Sequence, residues 1–369
     1  MRVLILSVPA GGGHLQTAKA LNEYLCQQEN TECKILDIAE NVNDLAAALV
    51  SDGYLLASTY MQTGYRFVYN QMDKRTKKKF TPSSQMLYQI CGKKLFEYIK
   101  DFKPDVIVST HVFATIVLNI HAKKHKIQAK IISIVTDFTV HPMWEQTTSD
   151  YYIIASENLT LEALRKWGTA DNVLPLGIPI REEFTKKIPI EEARKMLNIK
   201  DKFTVLIMMG SMGYANAAVD LVKNLDKLDD DLQIVAVCGN NKTLKEKLDK
   251  LKIKKDLIVY GYCENIPVMM DACDCIITKP GGLSTSEAMA KSIPIILTNP
   301  IPGQEERNLD FMQNNGVAMS LSDEFTADKA VYQLIHNPDV KETLLENVKR
   351  LAKPYSTQDL AKFLHRITK

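Results

Sequence analysis

"RVLILSVPAGGGHLQTAKALNEYL", residues 2–25, is the stretch whose reading decides the fold. Its first seven residues are mostly Val, Leu and Ile, a short continuous apolar run that predicts a buried strand. Gly11, Gly12 and Gly13 follow, and apolar residues then recur at helical spacing from Leu15 to Leu25. A glycine turn between strand and helix lets backbone approach a phosphate, and the helix N-terminus adds partial positive charge. The residue after the glycines is His14, which points instead to proton handling. Both readings stay open on this stretch alone, as does a plainly structural histidine.

Two nucleotide signatures can be tested against the turn. A dinucleotide fingerprint needs G-x-G-x-x-G, and Gln16 stands where the third glycine belongs, although Asp37 ends the second strand where a ribose-binding acid would sit. A P-loop needs G-K-[ST] after the glycines, which is absent.

The same alternation runs through the chain. Strand patterns fall at "RVLILSV", "CKILDIA", "DVIVST", "KIISIVT" and "YYIIAS", with helices near 14–28, 84–100, 112–125 and 158–167. It restarts near residue 203 with "FTVLIMMG", "LQIVAVCG", "DLIVYGY", "CDCIITK" and "IPIILTN", and helices near 214–228, 241–252, 264–272, 283–291 and 304–314. Continuous apolar strands with helical crossovers imply parallel sheets covered on both faces. With 369 residues the chain has room for two such domains. The expected fold is α/β, two Rossmann-like doubly wound domains facing a central cleft, with ligands at the carboxyl ends of the strands. Expected boundaries are 1–182 and 183–351, with a last helix at 352–369 able to pack back on the first domain.

Composition excludes several classes. A net charge of +2 gives no global drive toward nucleic acid. Seven cysteines without paired spacing read as reduced thiols of a cytosolic protein; Cys273 and Cys275 lack a second pair for zinc. No apolar run reaches the ~18 residues of a membrane span, and the N-terminal run reads as a strand rather than a signal peptide.

Residues 51–82 break the alternation, carrying Tyr54, Tyr60, Tyr65, Phe67, Tyr69 and Phe80. From Lys74 to Lys103 nine basic residues face two acidic ones, Glu97 and Asp101. Aromatics beside lysines suit an anionic lipid surface, at about 1 kcal/mol per basic residue. A solvated helix face and a packed hairpin would carry the same composition.

Candidate binding turns lie in the second half. "MMGSMGYANAAV" ends a strand at Gly210, Ser211 and Gly213 before a helix. "CIITKPGGLSTSEAMAKSIPIIL" ends a strand at Gly281 and Gly282 and opens a helix with Leu283, Ser284 and Thr285, whose amides suit a diphosphate. Glu287 is expected in that helix's first turn, as a ribose ligand or as a complement to the helix dipole. "NPIPGQEERNLDFM" presents Gln304, Glu305 and Asn308, side chains able to hold sugar hydroxyls, or ordinary residues of a helix start. In the first half "IVTDFTVHPMW" places Asp137, His141 and Trp144 after a strand end, on the rim expected for His14. An imidazole in reach of a hydroxyl serves as general base near neutral pH, and a carboxylate such as Asp137 can orient or assist it.

These stretches, with "SVPAGGGHLQTAKAL", "STHVFA", "PLGIPIREEF" and "GYCENIPVMMDA", resemble bacterial processive diacylglycerol glucosyltransferases and plant monogalactosyldiacylglycerol synthases, inverting enzymes of the GT-B fold. A more distant resemblance is to the peptidoglycan transferase that adds N-acetylglucosamine to a lipid-linked muramyl peptide. The resemblance implies His14 as the base that deprotonates the acceptor, with Asp137 beside it. It puts Gly12, Gly13, His141 and Trp144 on the acceptor side. UDP-sugar contacts are implied at Gly210, Ser211, Gly213, Gly239, Tyr262, Gly281, Gly282, Leu283, Ser284, Thr285, Glu287, Gln304, Glu305 and Asn308. The implied reaction moves a hexose, with glucose favoured over galactose, from a UDP-sugar to the 3-hydroxyl of 1,2-diacylglycerol at the cytoplasmic face of the cell membrane, where the protein is peripheral. No cofactor is expected, and no D-x-D motif is placed to hold a metal. Rival readings are the peptidoglycan transfer, a non-hydrolysing UDP-sugar epimerase, and a catalytically silent UDP-sugar sensor.

Overall fold

β1 (Arg2–Ser7) is buried along both faces, and its alternate residues belong to different cores. Leu4 and Leu6 pack with Leu95, Ile99, Phe102, Phe113 and Val117, while Val3 and Ile5 pack with Leu21, Leu25, Leu360, Phe363 and Leu364. Period-two alternation with both sets apolar is what a central parallel strand requires. Each such fully buried side chain contributes about 1.5–3 kcal/mol of transfer free energy.

The computed structural model describes residues 1–8, 12–38, 82–125, 127–167, 169, 171–209 and 215–368. The turn residues Gly210, Ser211 and Gly213 and the aromatic and basic segment through Lys79 and Phe80 lie outside the described residues. By contacts the chain divides into one unit of Met1–Glu182, Ile301–Arg307 and Tyr355–Lys369 and another of Glu183–Pro300 and Asn308–Pro354.

In the first unit β1 leads to α1 (Gly12–Cys26), β2 (Glu32–Asp37), α2 (Pro82–Phe102), β3 (Val106–Ser109), α3 (Val112–His125) and β4 (Lys130–Ile134). β5 (Tyr151–Ile153), α4 (Thr160–Trp167) and β6 (Val173–Leu174) follow. The sheet is parallel, in the order β2-β1-β3-β4-β5-β6, so the chain reverses direction across the sheet between β1 and β3. Ligands of open α/β sheets bind outside the carboxyl ends of strands at such a switch point.

The second unit contains α5 (Ile190–Leu197), β7 (Phe203–Met208), α6 (Ala215–Leu225), β8 (Leu232–Val237), α7 (Lys242–Asp249), β9 (Asp256–Tyr260) and α8 (Ile266–Ala272). It continues through β10 (Cys275–Thr278), α9 (Gly282–Ala290), β11 (Ile295–Leu297), the part of α10 (Gln304–Asn314) from Asn308 onward, β12 (Ala318–Ser320), α11 (Ala327–His336) and α12 (Pro338–Leu351). Its parallel sheet runs β12-β11-β10-β7-β8-β9, with the switch point between β7 and β10. Thr278 Oγ1 donates to the Met208 carbonyl at 2.7 Å, joining the two strand ends there.

α13 (Ser356–Ile367) returns to the first unit. Ser356 and Thr357 donate to the carbonyls of Ile178 and Ile180 at 2.8 and 2.6 Å, and Phe363 meets the Tyr151 ring edge-on. By contacts the segment 301–307 groups with the first unit, and Asn308, one turn further along the same helix, with the second. Cys273 and Cys275 are buried thiols of the second unit, and all the described cysteines are free. Among the described residues no helix is long and apolar enough to cross a membrane.

Candidate functional site

The structure corrects the reading of the glycine turn first. Gly12 and Gly13 form the opening residues of α1, so His14 is the third residue of a helix rather than the last of a loop. That position puts the imidazole in the positive end of the helix dipole, which disfavours a second positive charge.

His14 Nδ1 lies 2.8 Å from the Thr110 carbonyl oxygen and 2.8 Å from Thr136 Oγ1. A carbonyl only accepts, so Nδ1 carries the hydrogen and the lone pair is on Nε2. Thr110 follows β3 and Thr136 follows β4, so the base is oriented across the β1/β3 switch point. Burial lowers the His14 pKa below the ordinary 6.5, against an opposing pull from the Asp137 charge and the Thr110 bond. The ring is therefore a neutral imidazole near pH 7, able to accept a proton at Nε2.

Two more histidines stand nearby with the opposite tautomer. The Phe113 amide donates to His111 Nδ1 at 3.1 Å, and the Met143 amide donates to His141 Nδ1 at 3.1 Å. Neither ring can accept there while protonated at Nδ1, so each carries its hydrogen on Nε2. Burial first, then the charges of His14 and His141, hold His111 well below the usual histidine range. Of these three rings His14 alone offers an Nε2 lone pair.

Asp137 accepts from Gln304 Nε2 through Oδ2, so a residue expected on the sugar side meets the acceptor-side carboxylate inside the first unit. The turn bearing Gln304 is held by its own acids: Glu305 accepts from the Ile301 amide at 2.7 Å and Glu306 from the Gly303 amide at 2.8 Å. Glu162, on α4, accepts from the Val140 amide at 3.1 Å and so ties down the segment that carries Asp137. Burial raises the Glu162 pKa, opposed by the Val140 bond and by the charges of Lys166 and Arg307.

Trp144 is packed within the protein. It is 5% exposed, meets Tyr152 edge-on, and its carbonyl accepts from Trp167 Nε1 at 3.0 Å. His141 caps the short 3-10 turn 142–146.

At the second switch point Gly281 is the N-cap of α9. The amides of Gly282, Leu283 and Ser284, the first three of that helix, have no acceptor within it. Thr285 does not join them: its amide donates to the Gly281 carbonyl at 3.1 Å, and its hydroxyl to the same oxygen at 2.8 Å. Glu287 falls in the second turn, not the first, because the helix begins as early as Gly282. Asn308 is fully buried, and its Nδ2 donates to the Pro280 carbonyl at 2.9 Å, which fixes the turn from behind. Gly239, two residues past β8, has φ of 57°, a left-handed conformation that favours glycine. Tyr262 is 62% exposed.

Sequence reasoning missed Thr110, His111, Thr136 and Glu162. "STHVFA" marks a strand end, but only the sheet order places that end beside His14. Thr136 directly precedes Asp137 and was readable as part of the same strand end.

Because His14 and His111 are held neutral by burial, the unfolded chain binds more protons than the folded one below pH 6.5. Their stabilisation is complete above that pH and is lost as pH falls toward the lowered folded values, by up to about 1.4 kcal/mol per histidine per pH unit. Urea unfolding between pH 7.5 and 5 is expected to show this decline, and its acid part is expected to shrink in a His111→Asn variant. An unchanged pH dependence in that variant contradicts the assignment.

Among the described residues, two six-stranded Rossmann-like units with the last helix returned to the first have the topology of the GT-B fold. Residues 14–180 match the family described as monogalactosyldiacylglycerol (MGDG) synthase, and residues 189–351 match glycosyl transferases group 1. The processive diacylglycerol beta-glucosyltransferase of Bacillus subtilis is 32% identical over 354 residues, covering 95% of this chain and 91% of the relative. The protein of the same name from Bacillus pumilus is 30% identical, covering 97% and 93%. Among solved structures, MurG of Acinetobacter baumannii superposes with a TM-score of 0.67 at 14% identity, covering 99% of this chain and 100% of that one. HepE of Anabaena, solved with UDP and glucose, gives 0.59 at 13% identity, with 99% of each chain covered. The chain belongs to the glycosyltransferase family of the processive diacylglycerol beta-glucosyltransferases and MGDG synthases.

Proposed function

We propose that the protein transfers a hexose, with glucose the first candidate, from a UDP-sugar to the 3-hydroxyl of 1,2-diacylglycerol with inversion at the anomeric carbon. The observation that carries the chemistry is the fixed His14 tautomer, a neutral base with its Nε2 lone pair available. The names of relatives at 30–32% identity support the substrates. His14 Nε2 removes the hydroxyl proton, the oxygen forms the new bond to the anomeric carbon, and the bond to UDP breaks. The amides of Gly282, Leu283 and Ser284 and the α9 dipole stabilise charge on the leaving diphosphate, so this reading needs no metal. Glu287 takes the ribose and Gln304 and Glu305 the sugar hydroxyls.

The acceptor reaches the protein from an anionic membrane surface, on the cytoplasmic side. Exposed Lys93, Lys94, Lys100 and Lys103 at α2 support that docking.

The test incubates the protein with labelled UDP-glucose, UDP-galactose or UDP-N-acetylglucosamine, with diacylglycerol vesicles and excess EDTA. Glycolipid from UDP-glucose in EDTA is the expected product, with one sugar or several resolved by chromatography. Epimer without glycolipid, or transfer only to a lipid-linked muramyl peptide, overturns it.

A further inference from the structure

His111 occupies the N-cap of α3: its side chain accepts from the Phe113 amide and its carbonyl from the Thr115 amide at 3.2 Å. Histidine is not among the residues that N-caps favour; Asn, Asp and Ser do this better. What the imidazole adds is contact with the base. Its ring lies 4.5 Å from that of His14, centroid to centroid, at 82°, an edge-to-face arrangement. The other groups on His14 are the Thr110 carbonyl and Thr136 hydroxyl at Nδ1 and the Asp137 charge. Both Nδ1 partners lie at one end of the ring. They fix one nitrogen, while rotation of the ring about that end is restrained by a neighbour packed against its plane or edge.

The 109–111 turn is itself held by hydrogen bonds. Thr110 donates to the Leu6 carbonyl through its amide at 3.0 Å, and Ser109 Oγ donates to the His111 carbonyl at 3.0 Å. The wall that His111 presents to His14 is therefore anchored to β1 and to the first turn of α3.

We propose that His111 is a positioning residue for the base, its ring holding the His14 imidazole in the orientation that keeps Nδ1 on Thr110 and Nε2 open. The role rests on the transferase reading for its purpose, but its structural content can be measured without turnover.

The experiment compares His111→Asn and His111→Phe in the full chain. Asparagine retains an acceptor for the Phe113 amide but no ring; phenylalanine retains a ring but no acceptor. 15N NMR of histidine-labelled, ligand-free protein reads the His14 tautomer, and thermal unfolding reads the cap. His111→Asn is expected to keep the wild-type Tm, to lose the single Nδ1–H state of His14, and to lower kcat about 10–100-fold with donor KM unchanged, the scale of a small misplacement of a catalytic group. His111→Phe is expected to lower Tm yet keep the His14 tautomer and more of the turnover than His111→Asn. A His111→Asn protein with wild-type kcat and one Nδ1–H signal for His14 overturns the proposal, and so does loss of the tautomer in both variants. Wild-type protein that makes no glycolipid refutes the transferase reading alone, since the tautomer measurement still decides the role of His111.

Discussion

His14→Ala is expected to lower kcat about 10²–10⁴-fold, the range for loss of a positioned general base, while the donor KM stays close to wild type. The split follows from placement. His14 belongs to the first unit, and its partners are Thr110, Thr136 and Asp137 of the same unit, whereas the free amides of Gly282, Leu283 and Ser284 belong to the second. Removing the imidazole leaves the latter group intact, so ground-state donor binding is spared and proton removal is not. In the wild type the acid limb of kcat/KM is expected to have its midpoint below 6.5, because burial favours the neutral ring more than the Asp137 charge favours the cation. Asp137→Asn removes that opposing charge and moves the midpoint lower still. Turnover of His14→Ala within about threefold of wild type, well short of the loss a general base implies, would remove His14 from the mechanism.

The parts of the molecule legible in sequence are those set by local pattern. Strand and helix periods locate β1, β3, β7 and β10 and the helices after them, since each buries a continuous apolar run against a periodic apolar stripe. The short β6 and β12, two and three residues long, carry too little pattern to be seen and were not anticipated. The site was legible by residue type and not by partner. His14 and Thr110 are 96 residues apart and meet only because β1 pairs with β3. Asp137 and Gln304 are 167 apart, and nothing in "NPIPGQEERN" announces that its middle part, 301–307, groups with the first unit.

The binding-type stretches also supply their own bracing. Thr285, Asn308 and Trp144 are polar or aromatic residues in a binding-type stretch, and each is spent on the protein itself: on the Gly281 carbonyl, on the Pro280 carbonyl and on Tyr152. A motif shows which residues surround a ligand turn. Which of them touch the ligand and which brace the turn depends on where helix starts fall, as the earlier start of α9 and the second-turn place of Glu287 illustrate.

Lys291→Met is expected to destabilise the second unit by about 3–5 kcal/mol, the cost of leaving a buried charge without its partner. Lys291 and Asp271 are 1% and 0% exposed at the side chain, and Nζ lies 2.6 Å from Asp271 Oδ2. Lys291 Nζ also donates to the Lys186 carbonyl, and Asp271 Oδ2 accepts from the Ile188 amide at 3.2 Å. The pair therefore holds the segment 186–188, which precedes α5, against the ends of α8 and α9. Asp271 Oδ1 has no hydrogen-bond partner among the described residues, so the ammonium on Oδ2 carries most of the compensation for this carboxylate. Methionine matches the stem of lysine and packs in its place, which isolates the charge from any cavity effect. Adding Asp271→Asn to Lys291→Met removes the stranded charge and is expected to recover more than half of the loss, because replacing both partners of a buried pair costs less than breaking it. Urea unfolding of the three proteins at pH 7 separates the cases. A single-variant loss below about 1 kcal/mol would place the pair with solvent-screened surface bridges. A double variant no better than Lys291→Met would mean that the ties to Lys186 and Ile188, rather than the charge balance, carry the stabilisation.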